Sequence, residues 1–178
     1  MNLAAGVLEM VRQRGKFACE YCGVSETDSG GLLTVDHYQP RSHDGTDELE
    51  NLVYSCFRCN NYKGDYWPTK PADSFLWNPR QEPAERHVLI LDDGSLHPLS
   101  PVGSLAITLL QLNRPQLVAH RLDRRRKLQT ETRKARLVEM LAILQEIRRD
   151  RAQLTREQFA ILEEQRRLLE MFLSLLDE

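Results

Sequence analysis

No apolar run in the 178 residues approaches the roughly 18–20 needed to span a bilayer. The opening stretch MNLAAGVLEMVRQRGKF also lacks a basic start followed by an unbroken apolar segment, so a secretory signal is not expected. There is no internal repeat and no low-complexity tract. Cysteine occurs only four times and aromatic residues make up 7%, which excludes a disulfide-dense secreted scaffold. A strong net charge is missing too, the formal sum being −2. With 28% charged and 41% hydrophobic residues the composition is that of an ordinary soluble domain. These absences point to the cytoplasm, where thiols stay reduced and clustered cysteines hold metal more often than they pair.

Three segments follow from the pattern. Residues 1–66 combine a short helix over 2–13, with Leu3, Val7, Leu8 and Val11 on one side and Gly15 as its stop, with short strands and turns between cysteine pairs. Residues 67–114 open with an irregular arm rich in proline and aromatics. They continue as a hairpin, HVLIL-DDGS-LHPL, and a short helix started by Ser100-Pro101. Residues 115–178 read as two long helices packed antiparallel or on another copy. The first carries Leu137, Met140, Leu141, Leu144 and Ile147 on one face. The second is opened by a capping box at Thr155 and Gln158 and runs through Phe159, Leu162, Leu169, Phe172, Leu173 and Leu176. The fold class is α+β.

The four cysteines form two knuckles, Cys19-x2-Cys22 and Cys56-x2-Cys59, with 33 residues between them. Four thiolates match the tetrahedral preference of a structural zinc ion, and the closed set leaves no open coordination site for chemistry. The spacer is longer than in an ordinary paired-knuckle ribbon, so something is inserted. That insert holds Asp36-His37-x-x-Pro40 and Asn51-Leu52-Val53, and Asn60-x-x-Lys63 follows directly on Cys59. An Asp-His dipeptide alone is a weak signal. Knuckles that anchor both ends bring residues 36, 37 and 60 into one small volume and strengthen it. Neighbouring residues of a strand point to opposite faces, so Asp36 and His37 do not form a simple carboxylate–imidazole relay.

The order Cys-x2-Cys, Asp-His-x-x-Pro, Asn-Leu-Val, Cys-x2-Cys-Asn-x-x-Lys over residues 17–65 resembles the HNH endonuclease family, with its ββα-metal fold and a structural zinc. Residues 75–121 resemble an extension found after this module in stand-alone bacterial HNH proteins. The resemblance implies that His37 is the general base on an attacking water. An imidazole with an ordinary pKa near 6.5 is available for that work at cellular pH. It implies that Asp36 and Asn60 hold a catalytic divalent cation. Carboxylate and amide oxygens suit Mg²⁺ or Mn²⁺. It further implies that Asn51 braces the loop carrying the histidine. Asparagine replaces the family's histidine at position 60, and Asn61 is a rival for the ligand role. Lys63 either meets a phosphate or lays its stem over apolar surface. Arg41 and His43 are read as solvated loop residues, Tyr38 and Tyr54 as packing residues.

The small net charge hides an asymmetry. Residues 1–80 carry 8 Lys/Arg against 11 Asp/Glu, whereas residues 115–150 carry 10 against 5. DNA is therefore expected on the run at 120–136, through Arg121, Arg124, Arg125 and Arg126, in a salt-dependent and largely sequence-neutral way. A face of that kind can equally pair with its own acids in solvent. The overall expectation is a metal-dependent DNA endonuclease in phage defence, restriction or a mobile element. The C-terminal helices are available to a second copy or to a partner protein such as a defence ATPase. The alternative is a zinc-stapled adaptor without catalysis.

Overall fold

The computed structural model describes residues 5–70 and 72–176. It comprises two compact units, one ending at Arg125 and the other beginning at Arg126. The architecture is mixed α+β, with two small antiparallel strand pairs and one very long helix. Among the described residues no helix is both long and apolar enough to cross a membrane.

Helix α1 (Ala5–Arg14) buries Val11 completely and Val7 in part, while Leu8 stays exposed. Residues 2–4 of the expected helix, Leu3 among them, lie outside the described residues. The helix stops at Gly15, whose N–H donates to the Val11 carbonyl at 3.0 Å. A Cβ there would lie 2.9 Å from the Cβ of Tyr54, which only glycine avoids. The one-turn helix α2 (Glu26–Ser29) begins with a reciprocal cap between Ser25 and Asp28. It is tied to α1 by the Arg12 guanidinium, which donates to both Glu26 oxygens at 2.6 and 2.8 Å.

Strands β1 (Thr34–His37) and β2 (Leu52–Ser55) pair antiparallel, with Asp36 opposite Val53 and His37 opposite Leu52. All four residues of β2 are buried, because α1 and helix α3 (Phe57–Lys63) both pack on the pair. The arm after α3 is fixed by its aromatics. Trp67 sits edge-on between Tyr38 and Phe75, and Trp77 packs edge-on to the buried Tyr21. Strands β3 (Val88–Ile90) and β4 (Leu96–Pro98) form the expected hairpin. Its turn needs Gly94, at φ +81°, where a Cβ would strike Leu122 and the Val118 carbonyl. Ser100 caps α4 (Pro101–Leu109) by accepting from the Gly103 N–H at 3.1 Å.

Helix α5 runs unbroken from Pro115 to Leu176. This corrects the expectation of two helices with a start at Thr155. Position 155 has an alternative to capping: its hydroxyl donates to the Arg151 carbonyl one turn back, at 2.8 Å. No glycine or proline follows Pro115 to interrupt the helix. The packing of two antiparallel helices within one chain is therefore not formed. The side chains of Phe172, Leu173 and Leu176 lie outside those described.

The Arg12 guanidinium, and after it the Tyr54 hydroxyl, hold the Glu26 carboxyl at about 2 against an ordinary 4.5. A folded value below the unfolded one means the stabilisation is complete above pH 4.5 and is lost as pH falls toward 2. In urea titrations, Glu26→Gln should be less stable than the wild type at about pH 6, and the gap should close by about pH 2.5.

Candidate functional site

The cysteines come first because they set where everything else lies. The first knuckle is a tight turn, in which Gly23, at φ +76°, donates its N–H to the Cys19 carbonyl at 2.8 Å. The second is the N-terminus of α3, where Cys56 is the cap residue and its sulfur accepts from the Cys59 N–H at 3.4 Å. All four sulfurs lie within 4.8 Å of one another, and those of Cys22 and Cys56 are 3.7 Å apart. Thiolates about 2.3 Å from a tetrahedral zinc would be about 3.8 Å apart. The set fits one metal ion with the geometry and softness of zinc.

A residue not singled out in the sequence completes this centre. Arg114 places Nη2 4.0 Å from the Cys59 sulfur and its guanidinium 5.6 Å from the centre of the Tyr62 ring. Its Nη1 donates to the Leu110 and Gln111 carbonyls at 3.0 and 3.2 Å. Burial disfavours its charge, but the sulfurs of Cys59, Cys22 and Cys56 outweigh that and hold it above its usual range. The only advance signal was an arginine preceding Pro115, which does not distinguish it from any other helix-start arginine.

Because α3 starts at Cys56, its first full turn is laid along one face of β1. Asn60 Nδ2 donates to the Thr34 hydroxyl at 3.2 Å. One turn on, the Lys63 ammonium donates to the His37 carbonyl at 2.6 Å and lies 3.2 Å from Asp36 Oδ2. Residues 60 and 63 thus match residues 34 and 36, the period of a helix against that of a strand. Lys63 is only 3% exposed. That differs from the phosphate contact the sequence allowed: the ammonium faces inward, because a carboxylate buried on β1 requires a partner.

Asp36 is buried, which pushes its carboxyl up, and Lys63 opposes that shift. Its Oδ2 lies near the ammonium but accepts no hydrogen bond. Its one close charge is the Lys63 ammonium at 3.2 Å, so a lone pair remains that suits a hard cation. On the other side of the strand, His37 is 5% exposed and its Nε2 lies 2.7 Å from Asp47 Oδ1. Arg41 holds that carboxylate through Nη2, 2.6 Å from Oδ1 and 2.5 Å from Oδ2. Arg41, and then His37, lower the Asp47 carboxyl below its ordinary value. Asp47 was also missed, since ten residues of loop separate it from His37.

Two features fold that loop back. Asn51 accepts from the Gln39 N–H at 2.8 Å and donates to the carbonyls of Gln39 and Thr46 at 3.0 and 2.8 Å. Its side chain thereby fastens both ends of the 39–46 loop. Gly45 lies where a Cβ would collide with the Gln39 carbonyl.

The expected DNA-contacting arginines separate into two groups. Arg121 donates to the carbonyls of Gly94 and Leu112 at 2.6 and 2.8 Å, and Arg125 to the Asp92 carbonyl and carboxylate at 2.6 and 3.1 Å. Both tie α5 to the hairpin turn, where carbonyls need donors; Arg121 is partly buried there, whereas Arg125 keeps its side chain exposed. Arg124 and Arg126, like Arg125, are exposed, and among the described residues no hydrogen bond to the hairpin turn holds these two. His43 and Arg41 lie on a 3-10 turn (Arg41–His43) after β1.

Lys63→Met should destabilise the protein by about 3 kcal/mol, because it leaves the Asp36 carboxylate buried and unpaired. Adding Asp36→Asn should recover part of that loss in the same urea titration. The purified chain should also hold about one zinc ion per molecule by elemental analysis, and Cys59→Ser should abolish it.

Compared with models of protein families, residues 19–66 match the HNH endonuclease family. No curated protein and no solved structure matches the chain.

Proposed function

From the HNH endonuclease domain at residues 19–66, we propose that the protein is a metal-dependent endonuclease that hydrolyses DNA phosphodiester bonds. One observation carries this reading. At the end of β1 a buried imidazole backed by Asp47 stands beside a buried carboxylate with an unsatisfied oxygen, and Asn60 packs on the same strand. A zinc-stapled adaptor would need only the cysteines.

His37 is the general base. A base needs one ring nitrogen without hydrogen. Nε2 is engaged by the Asp47 carboxylate at 2.7 Å and the Arg41 Nε at 3.3 Å, and Nδ1 is the ring nitrogen that neither of them holds. Asp47 orients the ring, and Arg41 holds Asp47 in place. Asn51 keeps the loop that joins them from drifting. Asp36 and Asn60 are the residues that would hold Mg²⁺ or Mn²⁺. When bound, that cation would supply stabilisation of the charge that develops on the phosphorane and the leaving oxygen. Lys63 opposes the upward push that burial gives the Asp36 carboxyl, and so favours the charged form that a cation would meet.

Arg124 and Arg126 are the exposed cations suited to phosphates, giving affinity that falls with salt and reads little sequence. The cut is a nick or a double-strand break, in the cytoplasm, in phage defence, restriction or a mobile element. The four closely set cysteines support the compartment, since they require reduced thiols.

The test is supercoiled plasmid with Mg²⁺, Mn²⁺ or EDTA. Cleavage should require the divalent ion, fall at least 100-fold in His37→Ala, and fall less in Asp47→Asn. Intact plasmid under every ion, with zinc present in the protein, would leave the adaptor reading standing.

A further inference from the structure

The unit beginning at Arg126 is a single helix whose large apolar side chains remain open to solvent. Because α5 has no break at 150–155, one seven-residue frame runs through it. Met140, Ile147, Leu154, Ile161 and Leu168 recur at that spacing, each 48–58% exposed. With these as the d positions, the a positions are Leu137, Leu144, Arg151, Gln158 and Gln165. A stripe repeating every seven residues is the seam of a left-handed coiled coil. From it we infer that the occupant of this face is a second copy of the same chain, paired antiparallel.

Self-complementarity selects both the partner and the direction. In a parallel pair each a residue meets its own counterpart, so Arg151 would face Arg151, and Gln158 and Gln165 would stack on themselves. In an antiparallel pair a positions meet d positions. The register that opposes Leu144 to Leu168 of the second copy also opposes Arg151 to Ile161, Gln158 to Leu154 and Gln165 to Ile147. Each polar group at a then meets one aliphatic residue, and no like charges meet within the a–d seam. The arginine stem lies over Ile161 with its guanidinium reaching solvent.

The flanks agree. Leu141, Leu162 and Leu169 occupy e positions and are exposed. Parallel helices set e beside g, which would place these leucines next to Arg136, Glu157 and Glu164. Antiparallel helices set e beside e, so Leu141 meets Leu169 of the second copy, twice by symmetry. Charge points the same way. Residues 126–150 carry seven Lys/Arg against four Asp/Glu, and residues 151–178 carry four against six. Head-to-tail pairing lays the basic half of one helix along the acidic half of the other. A second copy offers all three matches at once, which an unrelated partner helix would have to reproduce.

This inference stands apart from the nuclease reading: a chain that dimerises without cutting DNA leaves it intact. Sedimentation equilibrium of the full zinc-loaded chain should show a dimer. With Leu144 replaced by the photo-crosslinker p-benzoylphenylalanine, mass spectrometry should find the crosslink around residue 168 of the second copy. The double variant Ile147→Glu, Ile161→Glu should weaken dimerisation by roughly 100-fold or more. Ala142→Glu, three residues before Gln145 on the side away from the seam, should leave the dimer intact. A monomeric wild type, an assembly larger than a dimer, a crosslink returning to residues near 144, or a dimer untouched by the double variant would each overturn the inference.

Discussion

The cluster of four sulfurs is the constraint on which the rest of the HNH-like module depends. A segment of 33 residues between two knuckles has little apolar surface of its own, and two four-residue strands cannot hold it. Closing the knuckles makes Cys56 both a metal ligand and the cap of α3. The direction in which α3 leaves the cluster then decides that Asn60 meets Thr34 and Lys63 meets Asp36. Four thiolates around a divalent ion carry a net charge of about −2, a heavy load for a buried site. Arg114 meets part of it and anchors the turn between α4 and α5 to the cluster. The C-terminal part of the compact unit is thus joined to the metal centre by charge as well as by apolar packing.

Within that frame two carboxylates eleven residues apart are placed in opposite regimes. Asp36 is buried and its carboxyl is pushed up, with Lys63 restraining the shift. Asp47 is half-exposed and its carboxyl is pulled down, first by Arg41 and then by His37. The first suits a hard cation that can compensate burial. The second suits a partner for imidazole that stays ionised at neutral pH. The alternation of β1 gives the two side chains different partners, Lys63 for Asp36 and Asp47 for His37, although the two are neighbours in the chain and His37 still acts on the Asp36 carboxyl.

What was legible in the sequence was whatever short spacing determines. The knuckles, the Asp-His pair, Asn51 before β2 and Asn60 after Cys59 could all be read, since each lies within a few residues of an element end. Lys63 could not be settled, because a helix residue's burial depends on which face the helix turns to its strand. That followed only from the exit angle of α3. Asp47 was invisible because a loop returns it to His37, and loop closure depends on Asn51 and Gly45 together. Arg121 and Arg125 looked like displayed cations since their acceptors are carbonyls in a hairpin some thirty residues away. Charge counting cannot see backbone acceptors.

The misreading of Thr155 has a more general cause. A hydroxyl residue followed three places later by a glutamine is a start signal only where the preceding residues leave the helix. Here nothing upstream forces them to leave, since Asp150, Arg151, Ala152, Gln153 and Leu154 all tolerate the helical conformation. The hydroxyl then takes the option of bonding to the carbonyl four residues back. The phase of the apolar residues distinguishes the two cases. A genuine break would reset it, whereas Met140, Ile147, Leu154, Ile161 and Leu168 keep one phase across residues 150–155. An isolated helix with so many polar residues gains little from propensity alone, and its persistence depends on burying an apolar face. An uninterrupted phase and an exposed stripe are therefore the two features that the proposed second copy would use along the length of the helix.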